Sequence, residues 1–157
     1  MEFNKKIAKE FLSTLNGDTW YSSNFEIIIE GIDADTAVKK LKGFPNSIVE
    51  IVVHMSQWKR FCIEKIKDNV EFDIAINSDE DWKRYNALGE DEWDEIKDKF
   101  GKASIDLSNA IGYSPDSKDD EIVPGRKYSF FHLFIGIIEH EVVHMTQISY
   151  LKKMLLV

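Results

Sequence analysis

Cysteine is nearly missing from this chain of 157 residues: Cys62 stands alone, so no internal disulfide can form, and a reducing cytoplasm is the expected location. A long hydrophobic run is missing too. The most apolar stretch, residues 128–138, runs straight into Glu139-His140-Glu141 and is too short to span a bilayer, so no membrane association is expected. The N-terminus has no uninterrupted apolar segment followed by a small-residue cleavage site, and no signal peptide is expected. Positive charge is in deficit. With 20 Lys and Arg against 28 Asp and Glu, the net charge is -8, and no basic cluster stands out to offset it, which argues against nucleic acid as a partner. Repeats and low-complexity tracts are likewise absent. What is present is enough chain for one domain, residues 1–157, to bury a core without disulfide or metal staples.

The apolar residues recur at helical spacing. Phe3, Ile7, Phe11, Leu12 and Leu15 mark a first helix that Asn16-Gly17-Asp18 stops. A second helical stretch is expected over residues 22–30, and Asp33 or Asp35 suits the cap of a short helical turn. After the Gly43-Phe44-Pro45-Asn46 loop, Ser47-Ile48-Val49-Glu50 has the form of a capping box opening a long helix to about residue 67. Residues 77–91 read as an acidic connection with a short helix around Trp82. Trp93, Ile96, Phe100, Ala103, Leu107 and Ile111 stripe the next long helix, which Gly112 is expected to end. Ser129 is positioned to cap a last helix reaching nearly to the C-terminus. Four long helices predict an all-α fold, a bundle in which metal and ligand sites form from inward side chains of facing helices.

Three histidines carry the chemistry. His140 and His144 lie four residues apart, about 40° and 6 Å on a helix, so both imidazoles can reach one ion. His54 sits in the other strongly apolar helix, where its polar atoms need a partner that a metal would supply. A lone histidine on an apolar face is more often a hydrogen-bonded core residue, and that reading competes with the ligand one. His132, about 12 Å from His140 along the helix, cannot share the ion and belongs at the rim. Residues 140–144 also match the His-Glu-x-x-His pattern of zinc peptidases. Those enzymes take a third ligand downstream, and residues 145–157 hold no histidine, aspartate or glutamate. The third ligand must then come from upstream, and Glu141 is expected to face solvent or to support the site from outside.

The chain resembles the DinB/YfiT-like superfamily over almost its whole length. Gly17-Asp18-Thr19-Trp20, Phe25-Glu26-Ile27 and Gly31-Ile32 are similar to that family's first-helix region. Residues 43–58, with His54 one turn before Trp58, are similar to its second helix, and His140-x-x-x-His144-x-x-Gln147-Ile148 to its closing signature. The chain departs from the family at Met145-Thr146, where Arg-Gly or Ala-Gly is common, and at Tyr21, where histidine is frequent. The resemblance implies an antiparallel four-helix bundle binding one divalent ion, zinc or nickel, through His54, His140 and His144. It also implies relatives that transfer bacillithiol, mycothiol or glutathione, and frequent pairing into homodimers.

A metal-dependent thiol transferase in detoxification or stress response, with a low-molecular-weight thiol cosubstrate and a small-molecule substrate, leads these readings. A hydrolase using a metal-bound water and a non-catalytic metal or small-molecule binder are the alternatives. Glu50, one turn before His54, is a candidate acceptor for an imidazole N–H, competing with its role as a cap. Gln147 is a candidate partner for substrate or ligand, and Trp58 and Trp20 are candidates to line the pocket.

Overall fold

The computed structural model describes residues 2–20 and 23–156, and among them the fold is all-helical, with a single isolated bridge between Ile122 and Ser129 in place of any sheet. The helices are α1 (Glu2–Asn16), α2 (Phe25–Ile29), α3 (Ala34–Val38), α4 (Ile48–Ile66), α5 (Glu90–Tyr113) and α6 (Phe130–Leu155), with a 3-10 turn at Asp116–Asp120. Each of the four long helices touches two others, α1 with α5 and α6, and α4 with α5 and α6. No helix among the described residues is long and apolar enough to cross a membrane.

Local chemistry sets the boundaries. The Asn24 side chain accepts from the Ile27 N–H, Asp33 from Thr36 and Ser129 from His132, while at the start of α4 the Glu50 carboxylate accepts from the Ser47 N–H at 3.1 Å. Four expectations need correction. The second helical stretch is only α2; Ser22, its expected start, lies outside the described residues, as does Tyr21. α5 starts at Glu90 with Gly89 as its cap and runs through Gly112 to Tyr113, because Ser114 is the first residue with extended backbone. Trp20, a candidate to line the pocket, is 95% exposed. The expected helix around Trp82 is a folded turn: Asn77 takes a left-handed φ of 64°, and the Asp81 carboxylate captures the Asn77 N–H at 2.8 Å.

Two apolar clusters fill the interior. One gathers Phe25, Ile48, Met55, Trp93 and Phe100 with Met145 and Ile148; the other gathers Phe11, Phe61, Leu107, Ile111 and Phe130 with Phe134 and Ile137. Helices α4 and α6 run through both. On α4 Lys59 lies between Met55 of the first cluster and Phe61 of the second, and on α6 residues 140–144 lie between Ile137 and Met145. The buried Lys59, Glu141 and His144 therefore lie at the seam where the clusters meet.

Candidate metal centre

His54 projects from the middle of α4, and His140 and His144 project from successive turns of α6. His54 and His144 are buried and His140 is half-buried. One ligand nitrogen from each ring lies within 4.8 Å of the other two. The closest pair is His54 Nε2 and His140 Nε2 at 3.0 Å. Nitrogens on a tetrahedral ion with bonds of about 2.05 Å stand about 3.3 Å apart, so small ring movements suffice to seat one.

The opposite edges of two of these rings are held. His54 Nδ1 lies 2.8 Å from Asp81 Oδ1 and 3.1 Å from the Asp81 carbonyl, and His144 Nδ1 lies 2.7 Å from Gln147 Oε1. Each acceptor draws the ring hydrogen to Nδ1 and leaves a lone pair on Nε2, the form a metal ligand needs. The buried His140 Nδ1 has no such partner. A donor set of three imidazoles, two of them oriented from behind, fits zinc, nickel or a similar divalent ion.

Burial keeps the rings neutral. Desolvation, reinforced by repulsion from the neighbouring rings and Lys59, pushes His140 down to about 2. Desolvation also takes His144 down to about 4 against the pull of Gln147, and lowers His54 against the pull of Asp81.

Asp81 is the residue that the sequence reading missed. Its Oδ1 also accepts from the Trp58 indole N–H at 2.9 Å, its N–H donates to Ser78 Oγ at 3.2 Å, and the next residue, Trp82, stacks on His54 with ring centroids 3.7 Å apart. The turn at residues 77–82 thus fixes His54 through a carboxylate and a ring face together. The role considered for Glu50 belongs to Asp81. Both Glu50 oxygens are occupied elsewhere, by Lys40 at 2.9 Å, Arg84 at 3.2 Å and the Ser47 and Tyr85 N–H groups. Desolvation raises its pKa, but these donors outweigh that and hold the carboxyl below the usual range.

Glu141 is buried, which removes the solvent-facing one of its two expected roles. Its Oε2 meets Lys59 Nζ at 2.8 Å, with Lys59 and Glu141 only 0% and 1% exposed, and Lys59 also lies over the Phe100 ring at 3.5 Å. Trp58 and Gln147 take part in the site as the residues tied to Asp81 and His144, while His132 is exposed, apart from it. Compared with models of protein families, with curated proteins and with solved structures, the chain finds no match.

Replacing Asp81 with asparagine is expected to weaken zinc binding about 10- to 100-fold with helicity unchanged, since the ring behind the ligand nitrogen loses its charged acceptor. Competition against a chromophoric chelator measures this. Unchanged affinity would detach Asp81 from the site.

Proposed function

We propose that the chain is a DinB/YfiT-like antiparallel four-helix bundle that binds one divalent ion, zinc or nickel, and acts as a metal-dependent thiol transferase on a small electrophile. The observation that carries this reading is the convergence of His54, His140 and His144, with Asp81 and Gln147 holding two of the rings from behind. The cyclic adjacency of α1, α5, α4 and α6 supports the bundle. Three protein ligands leave a tetrahedral ion one further position, and its Lewis acidity lowers the pKa of a thiol or water placed there.

The chain's own residues favour thiol transfer over peptidase-like hydrolysis. Glu141 stands where the peptidase motif has its water-activating base, yet it is buried and engaged by Lys59. In thiol transfer no such base on α6 is needed. The sulfur bonds to the electrophilic carbon, the thiol proton passes to solvent, and the leaving group departs with its electron pair.

Elemental analysis of tag-free protein, followed by assays with glutathione, mycothiol and bacillithiol against a chloronitrobenzene, tests the proposal. The expected result is one ion per chain and turnover that needs both ion and thiol. Thiol-independent ester or amide cleavage would replace it with the hydrolase reading, and an ion without turnover with a binding role. Absence of any bound zinc or nickel after loading would remove the metal centre.

A further inference from the structure

A slot lies between α4 and α6, with a cavity volume of about 220 Å³ and His140 in its wall. Its apolar sides are Trp58 and Cys62 from α4 and Leu133 and Ile137 from α6. Burial raises the Cys62 thiol far above its ordinary value, so that wall stays uncharged at neutral pH. Leu133, Gly136, Ile137 and His140 recur at three- and four-residue spacing, one continuous face of α6 that begins in the slot and ends at the histidines.

Gly136 sets the width of the slot. It sits inside a helix, where glycine is a poor choice, and a Cβ placed there would meet nothing within 4 Å. The missing side chain leaves room that nothing else in the protein fills. Across the slot Trp58 is held in place by its bond to Asp81, so this wall is tied through one carboxylate to His54. At the other end Tyr128 and His132 pair with ring centroids 5.3 Å apart and bring a phenol and an imidazole to the mouth.

We propose that this slot is the substrate pocket and that it takes a single six-membered ring, apolar in its body, with a polar substituent directed toward Tyr128 and His132 and its reactive atom toward His140. Size decides the class. An apolar cavity of roughly 150 Å³ takes benzene, so this slot holds one ring with a short substituent. The rigid indole face supplies a stacking surface already in position. The direction of the reactive atom rests on the reading of the three histidines as a metal centre; occupation of the slot does not.

The full-length protein, first metal-free and then loaded with zinc, is titrated with 4-fluorobenzyl alcohol, followed by fluorine NMR and by amide spectra of the protein. Saturable binding is expected in both forms, with shifts centred on the Gly136 amide and the Trp58 indole N–H. Gly136→Leu fills the slot and is expected to weaken binding at least tenfold while zinc affinity stays within twofold of the parent. Gly136→Ala gives a smaller loss of binding and no loss of thermal stability. Should the leucine variant fail to fold, the alanine variant and the shift map of the parent chain still decide. No saturable binding, shifts centred elsewhere, or equal affinity in a folded Gly136→Leu protein would each overturn the pocket. Probe binding in a chain that takes no zinc would uphold the slot while removing the metal centre, so the two readings fail separately.

Discussion

Glu141→Gln is expected to destabilise the protein by about 3–5 kcal/mol, because it strands the Lys59 ammonium in the interior. Lys59 is fully buried, with its Nζ against the Glu141 carboxylate and over the Phe100 ring. Burial pushes the Lys59 pKa down and the Glu141 pKa up, each toward neutrality, and their mutual contact opposes both shifts. Removing one partner leaves the other with its desolvation uncompensated. For a chain of this size the loss corresponds to a melting temperature lower by about 6–20 °C. Lys59→Met should cost a comparable amount, whereas Lys59→Met combined with Glu141→Leu restores most of the loss, since apolar replacement of a whole buried pair is often neutral or better. Thermal melts of the parent, Lys59→Met, Glu141→Leu and the double variant measure the cycle, with Glu141→Gln beside them. Additive losses in the double variant would show that the two side chains act independently. The result also bears on any activity measured for Glu141→Gln: a fall in turnover must be compared with the fall in folded protein before it is assigned to chemistry.

His144→Ala is expected to reduce zinc affinity by at least a hundredfold and to leave the helical content in place. Two imidazoles compete poorly with water for a dication, and Gln147 loses the ring it holds. The fold survives because its stability comes from the two apolar clusters, which include neither His144 nor the other two ligands. Calorimetric titration with zinc, alongside far-ultraviolet circular dichroism, separates the two effects. Full affinity in the alanine variant would remove His144 from the site, and loss of helix would make it a folding residue.

The long helices and the caps were legible because each rests on local chemistry: apolar residues at helical spacing, Asp33 and Ser129 as side-chain acceptors for helix N–H groups, and Glu50 reaching back to the Ser47 N–H. The histidines were legible for the same reason, with His140 and His144 one turn apart and His54 isolated in an apolar helix. What escaped was set by tertiary contact. Asp81 lies 27 residues beyond His54 in a stretch that reads only as acidic and solvated, and nothing local marks one carboxylate among several as the buried one. Asn77 and Ser78 gave a signal of turn chemistry that could have weighed against a helix at Trp82. Glu141 misled because its motif suggested water or solvent, while its partner, Lys59, lies 82 residues earlier on another helix.

The 3.0 Å approach of His54 Nε2 to His140 Nε2 decides where one hydrogen resides. With Asp81 holding the hydrogen of His54 on Nδ1, the bridging hydrogen belongs to His140, which therefore rests in the opposite tautomer from its two neighbours. Seating an ion requires that hydrogen to cross the ring to Nδ1, an atom without an acceptor. It is a relocation and not a release. All three rings are already uncharged at neutral pH, so an ion seated here would displace no proton from the imidazoles, unlike capture by thiols, and the rings' own hold on it would weaken only in acid strong enough to protonate them.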